Sequence, residues 1–361
     1  MANNSETIIK ILECLWPRNK AKGLLAQTVF YDSVNSGFFG PNIKEKLIQG
    51  CWLLAPKETD FYKFRFCFFV HPNVLAFDKC KFNLKDILGE NYRPFHAILE
   101  FMSNAGIGII YAIPTTEDGT IPLAEFELRR FDIIKWKLFN FQYGCFTERD
   151  PFEFFSRWSG NKGRATSGNE WDFQVKSNML CLEESVLRGL LLNEIFYSGF
   201  IKGILRKPLN DPYDVDSFLI SLSQRYIFPM EIKEKFPSDN SEKGFFGIDA
   251  GRVMMLLRLC LPNDSNAIYL IREVDKSGNF IGWKYITLTD IIMTASWNLQ
   301  AGGLGMGGQN TQTIRLHYKY FKDFTSDEIS EEKLKVIGNM PKDIKNLAKA
   351  FSSELSNRFT R

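Results

Sequence analysis

The stretch from Asp211 to Lys235, DPYDVDSFLISLSQRYIFPMEIKEK, constrains the fold more than any other part of the chain. Two apolar runs, each of strand length, meet at a short loop from Leu222 to Arg225, and each carries its charge at the far end. Side chains alternate along a strand with period two, so the register of such a hairpin decides which residues share a face. A hairpin centred between Ser223 and Gln224 places Asp216 opposite Glu231. The same register sets Val215 against Ile232, Ser217 against Met230 and Leu219 against Phe228, an apolar face suited to packing on a helix.

On the other face the two acids stand with Cβ atoms about 5 Å apart. Both carboxylates then reach one cation at the roughly 2.1 Å oxygen distances of magnesium. Lys233 emerges on the same side, two residues beyond Glu231. Two like charges side by side are costly without a cation, so the missing partner is expected to be Mg²⁺. Acid, acid and ammonium in one notch suit phosphodiester hydrolysis, in which carboxylates hold the metal, the metal polarises phosphate and acidifies water, and the lysine orients that water or offsets developing charge.

At 361 residues the length implies about two domains at roughly 150 residues each. With 45% hydrophobic and 24% charged residues the chain is a packed globular protein and too apolar for disorder. A net charge of +3 excludes a polycation but not a local basic groove. The seven cysteines contain no C-x-x-C pair, which argues against a disulfide framework or zinc ribbon and for a reduced, cytoplasmic setting. Three scattered histidines offer no zinc-ligand spacing. The N-terminus does not read as a signal peptide, and the most apolar window, Val186 to Leu205, is broken by Arg188, Glu194 and Lys202, so no membrane partner is expected.

Helical spacing is read over residues 5–15, 20–33 and 42–49, followed by a strand over 62–70. This order is compatible with a helix-turn-helix and wing or with a plain helical subdomain. Runs 106–113 and 121–128 flank an Asp118-Gly119 turn signal and read as a hairpin, extended by a strand over 131–143 into a mainly antiparallel sheet. The polar loop from Ser159 to Gly168 marks a boundary; Lys162 and Arg164 in it either track a phosphate backbone or belong to a solvated linker. The segment Glu170 to Lys176 reads as a strand with Asp172, Gln174 and Lys176 on one face toward DNA. After it come a helix over 183–205, the hairpin strands 214–221 and 226–235, a helix over 249–260 and strands over 267–274, 280–288 and 313–321, an α/β core. Two polar helices follow Ser326, and the acid-x-Lys triplet Glu331-Glu332-Lys333 in them reads as a solvated face. The Gly-rich run from Gln300 to Gly308 lacks the Lys-Ser/Thr of a P-loop and reads as a connector or a loop over the site. The expected division is therefore 1–160 for an N-terminal helical and antiparallel-sheet region, 161–325 for a catalytic domain and 326–361 for C-terminal helices.

With Asp216 as first acid and Glu231-Ile232-Lys233 as acid-x-Lys, the chain resembles the PD-(D/E)XK, or restriction-endonuclease-like, nucleases over roughly residues 180–275. The resemblance implies a mixed sheet flanked by helices, an α/β core in an α+β chain, and a helix carboxylate, for which Glu194 is the candidate and Glu184 the alternate. Val215 stands where that family's pattern has proline, and Asp214 is an alternative first acid. The activity implied is that of a Mg²⁺-dependent type II restriction enzyme, a site-specific hydrolase of double-stranded DNA leaving 5′-phosphate ends. It would act as a homodimer beside a companion DNA methyltransferase, with residues 1–160 for recognition. The alternatives are a defence or repair nuclease, or a non-catalytic DNA-binding or interaction protein in which the cluster is an ion-pair network.

Overall fold

The computed structural model describes residues 4–16, 18–41, 43–54, 65–77, 83–142, 144–156, 158, 171, 173–207, 213–223, 225–238, 244–301 and 312–359. The chain is mixed α+β. Its helices are α1 (Asn4–Leu15), α2 (Arg18–Asn35), α3 (Leu84–Leu88), α4 (Tyr92–Asn104), α5 (Leu123–Glu127), α6 (Pro151–Ser156), α7 (Phe173–Leu180), α8 (Glu184–Glu194), α9 (Ala250–Cys260), α10 (Leu288–Thr294), α11 (Glu331–Gly338) and α12 (Lys342–Phe359). Its strands are β1 (Leu47–Leu54), β2 (Phe66–Val70), β3 (Leu75–Ala76), β4 (Gly108–Thr116), β5 (Lys135–Gln142), β6 (Cys145–Arg149), β7 (Tyr213–Ser221), β8 (Tyr226–Lys235), β9 (Phe245–Asp249), β10 (Ile268–Val274), β11 (Phe280–Thr287), β12 (Ser296–Ala301), β13 (Gln312–His317) and β14 (Lys322–Asp323).

Two compact units alternate along the sequence: Met1–Asp32, Cys51–Tyr92 and Gly106–Asp214 form the first, Ser33–Gly50, Arg93–Ala105 and Val215–Arg361 the second. These borders lie apart from the expected divisions at 160/161 and 325/326.

In the first unit β2 runs antiparallel to β1 and parallel to β4, and β5 pairs antiparallel with β4 and β6. The sheet is mixed, where the spacing predicted a mainly antiparallel one. A parallel pair needs a long crossover, and residues 71–107 between β2 and β4 supply it with two helices. The predicted strand over 121–128 is instead helix α5. Pro122 stands at its N-cap, where a missing N–H costs nothing, and Phe126 turns into the core. The arm that pairs with β4 is β5, from Ile109↔Phe141 to Thr115↔Lys135. Residues 173–180 are helical too, so the strand predicted there is absent. Buried aromatics fill the core, with Phe68 stacked on Phe155 at 5.8 Å between ring centres and Trp136 edge-on to Phe196 at 4.8 Å. The apolar run after α8 continues as a π-helix, Ile195–Ile204, in the helix expected to reach residue 205.

The second unit carries the predicted hairpin. Strands run in the order β14, β11, β10, β8, β7, with β8 and β10 parallel and the other pairs antiparallel. Helix α9 lies in the crossover from β8 to β10, and its Val253, Leu256 and Leu257 are buried. A smaller antiparallel sheet has the order β12, β13, β9. The third predicted helix, over 42–49, is replaced by a 3₁₀ turn at Lys44–Lys46 and by the start of β1, so the helix-turn-helix reading loses its third helix. The alternation that continues through Cys51-Trp52-Leu53-Leu54 favours a strand over a helix here. No described helix is long and apolar enough to cross a membrane.

Gly50 shows how closely β1 approaches the site strand. A Cβ built there would stand 1.6 Å from the Val215 carbonyl oxygen and 2.7 Å from the Asp216 carbonyl carbon. Gly50→Ala should therefore lower stability by at least the ~1–3 kcal/mol typical of overpacking, read as a lower urea midpoint. Gly23→Ala in α2, where a Cβ meets nothing within 4 Å, should raise it by about 0.5–1 kcal/mol.

Candidate functional site

The predicted register is the observed one: Ser217↔Met230, Phe218↔Pro229, Leu219↔Phe228, Ile220↔Ile227 and Ser221↔Tyr226. One step beyond this ladder Asp216 stands beside Glu231. The Asp216 side chain is wholly buried, and its Oδ2 accepts a hydrogen bond from the Ile232 backbone N–H at 2.6 Å. Glu231 is 1% exposed. Lys233 bridges the pair, with Nζ 2.9 Å from Glu231 Oε1 and 3.5 Å from Asp216 Oδ2. The three side chains that the hairpin pattern selected are thus brought together. Ser217, on the opposite face, donates to the Ile48 carbonyl at 3.1 Å and ties β7 to β1.

Four further residues complete the site: Lys235 at the end of β8, and Tyr269, Asp249 and Arg252, which do not follow from the hairpin alone. Parallel pairing with β8 sets Tyr269 beside Glu231. Its hydroxyl donates to the Gly247 carbonyl at 3.0 Å, and burial, reinforced by the Glu231 and Asp216 charges, pushes the phenol well above its ordinary pKa. Lys235 donates to the same carbonyl. Burial, and then the neighbouring charge of Lys233, depresses its ammonium to about 8. Asp249 caps α9, accepting from the N–H groups of Gly251 at 2.8 Å and Arg252 at 3.3 Å. Burial raises its carboxyl pKa despite those bonds, and the Glu231 charge adds to the rise.

Arg252, in the first turn of α9, puts Nη1 3.2 Å from Glu231 Oε2. That contact is an ion pair without hydrogen-bond geometry, because Oε2 is buried and accepts no hydrogen bond. The sequence signal for Asp249 and Arg252 is Asp249-Ala-Gly-Arg252, a helix start with an N-cap acid. Only the β8–α9–β10 crossover turns that start toward Glu231.

The other predicted positions are engaged differently. Asp214, the alternative first acid, is half-buried in the first unit near Cys51, whose thiol is held up by burial first, then by Cys67 and the Asp214 charge. Glu194 is buried at the end of α8 in the first unit, paired with Lys20 and accepting from the Ser198 hydroxyl. Lys20 in turn lies over the Trp52 ring at 5.2 Å. Glu184 accepts from Arg188 and, at 3.3 Å, from Asn4, and the Arg188 hydrogen bond lowers its pKa. Lys176 lies on α7, 2.9 Å from Glu13 Oε1. Glu331 is not the solvated residue expected: it accepts from the hydroxyls of Ser221 and Ser223 and pairs with Lys46 at 2.6 Å. Lys162, Arg164, Asp172 and Gly302–Gly308 lie outside the described residues, and so does the boundary loop 159–168.

Among the described residues, no three His, Cys, Asp or Glu side chains converge as a ready-made metal cage. What the site offers a divalent cation is narrower: two buried carboxylates side by side, one of whose oxygens is an acceptor without a donor. Hard oxygen donors of this kind fit Mg²⁺, which keeps several waters and needs only one or two carboxylates from the protein. Compared with protein-family models, curated proteins and solved structures, the chain matches none.

Lys235 couples folding to pH. Its folded pKa of about 8 lies below the ordinary value of 10.5, so the unfolded chain binds the proton more tightly. Folding stability attributable to Lys235 should therefore rise as pH increases from about 8 toward 10.5 and level off above. Subtracting the urea-unfolding profile of Lys235→Met from that of the wild type over this range should expose the rise; a flat difference would contradict it.

Proposed function

We propose that the chain is a Mg²⁺-dependent endonuclease of double-stranded DNA, of the type II restriction class, with Asp216 and Glu231 as metal ligands and Lys233 as the catalytic cation. The observation that carries this reading is the pair of buried, adjacent carboxylates bridged by Lys233, with Glu231 Oε2 left without a donor. Glu231 Oε2 has the Arg252 charge at 3.2 Å but no hydrogen bond, and a cation bound directly to it would add the missing coordination.

In the reaction a water oxygen adds to phosphorus and the bond to the 3′-oxygen breaks, leaving 5′-phosphate and 3′-hydroxyl ends. When bound, the ion supplies Lewis acidity to the phosphate and lowers the pKa of water. Asp216, fixed by the Ile232 N–H, and Glu231 orient their oxygens on one face of the β7–β8 hairpin. Lys233, on a rigid strand and 29% exposed, presents its ammonium to a phosphate oxygen or to the attacking water. Cutting both strands with one such site calls for two copies of the chain. A cytoplasmic setting and a companion methyltransferase that protects host DNA belong to the same reading. Sequence-specific fragments would mark a restriction enzyme; a nonspecific smear would mark a defence or repair nuclease.

A second reading has its own observation. Lys233 and Arg252 match Asp216 and Glu231 charge for charge, as a structural ion-pair network would. The two readings part on one set of measurements. With Mg²⁺ and unmethylated plasmid DNA, the wild type should cleave, and Lys233→Ala and Glu231→Gln should each slow cleavage by at least about 100-fold while keeping the native circular dichroism. Undiminished cleavage by either variant would remove the residues from the active site. No cleavage by the wild type on a broad set of DNAs, with Glu231→Gln destabilised by about 3–5 kcal/mol, would favour the network.

A further inference from the structure

In the small sheet, Phe246 and Ile248 of β9 and Ile314 and Leu316 of β13 are buried on one face. Side chains alternate along a strand, so Phe245, Arg315 and His317 stand on the other face. Across the ladder Arg315 pairs with Gly247 and His317 with Phe245. Phe245 and Arg315 are half-buried, His317 is exposed, and the exposed Lys319 follows in the turn Tyr318–Tyr320. This face adjoins the acid pair, because the Gly247 carbonyl accepts from Lys235 and from Tyr269, the neighbour of Glu231.

Cations and rings alternate here. Arg315 Cζ lies 4.4 Å from the centre of the Phe245 ring, Lys319 Nζ lies 4.9 Å from that of Tyr320, and Tyr320 meets His317 edge-on at 6.4 Å. Among the described residues neither Arg315 nor Lys319 uses its side chain in an ion pair or a hydrogen bond, and the buried Arg315 Nε has no acceptor. Other cations of this unit differ: Lys46, Arg272, Lys284 and Lys345 each stand against a carboxylate. A ring orients a cation without neutralising it, so both charges stay available to an anion. The guanidinium is also the side chain best shaped to hold a phosphate with two parallel hydrogen bonds.

We infer that the outer face of β9 and β13, with the turn that follows, is a docking surface for the phosphate backbone of DNA, with Arg315 and Lys319 each on a phosphate and Phe245 and Tyr320 as the platforms that hold them. This rests on the proposed DNA substrate and names contacts to it outside the acid pair. Charge complementarity selects the occupant: a chain of regularly spaced anions meets two cations whose charge nothing nearby cancels. A protein partner would want an exposed apolar centre, and none of the exposed large apolar side chains among the described residues lies on β9, β13 or their turn. Contacts of this kind add affinity and fix orientation without reading bases, so Arg315 and Lys319 are substrate-positioning residues.

The test measures binding of a fluorescently labelled DNA duplex by anisotropy, in EDTA so that the readout does not depend on cleavage, at salt concentrations between about 50 and 200 mM. Each phosphate contact contributes about 0.9 to the slope of log K against log salt. Arg315→Gln and Lys319→Gln should each weaken binding and lower that slope by about this amount, and the double variant by about twice as much. Arg315→Lys, which keeps the charge, should keep the slope. Lys335→Gln, which removes an equal charge from an exposed position on α11, should keep it too. Lys319 is exposed, so Lys319→Gln carries the test if Arg315→Gln loses the native circular dichroism. No DNA binding by the wild type, a slope unmoved by Lys319→Gln or by folded Arg315→Gln, or an equal fall in Lys335→Gln would overturn the inference. Lower slopes in a protein that cleaves no DNA when Mg²⁺ is supplied would leave the docking surface standing and overturn the nuclease reading. Cleavage by the wild type with slopes unmoved in the variants would overturn the docking surface alone.

Discussion

The hydrogen bond from the Ile232 N–H to Asp216 Oδ2 is the contact on which the site depends. It lies at the point where the β7–β8 ladder ends, and it substitutes a side-chain acceptor for the next backbone partner. The bond orients the buried Asp216 carboxylate through the main chain, and Lys233 Nζ lies 3.5 Å from the same oxygen. Glu231 and Lys233 inherit their places from the same strand, since residues on either side of Ile232 point to the face opposite to it. A slip of one residue would send all three charges into the apolar face that Val215, Met230 and Ile232 fill, so the hydrophobic pattern and the acid pair enforce the same register.

That coincidence explains how much of the site was legible beforehand. The hairpin is a local object: its turn, its alternation and the charges at its ends lie within 25 residues, and each constrains the others. Helices α1, α9, α11 and α12 and strands β10 and β11 were equally visible, because their apolar spacing runs over enough residues to separate helix from strand. The misread segments were short and ambiguous. Residues 121–128 and 173–176 present apolar residues that satisfy either period, and the arm that pairs with β4 came from β5 further along the chain. Residues 47–49 read as the tail of a helix until the strand they begin is followed into residues 51–54.

Arg252, Asp249 and Tyr269 were hidden for a different reason. Nothing in their local sequence points to Glu231. Their approach follows from one topological fact, the parallel pairing of β8 with β10 through α9, which brings the first turn of the helix over the carboxylates and sets Tyr269 next to Glu231. A sequence reading that stops at secondary structure sees an N-cap acid and a helix. Placing that helix start at the site requires the crossover to be drawn as well.

The crossover also changes what the acid pair means. Read from the hairpin alone, two buried carboxylates and one lysine leave a net negative charge that invites a cation. With Arg252 included, the four charges cancel, and the cost of burying them is met within the protein. The remaining sign of incompleteness is small and local: Glu231 Oε2 has a charge partner at 3.2 Å yet no hydrogen bond. In a network whose only role was stability, a guanidinium with five donors would be expected to turn one of them onto a buried oxygen so close by. Arg252 turns none of them onto Glu231 Oε2, so this oxygen of the acid pair is held by charge alone, beside the first turn of α9.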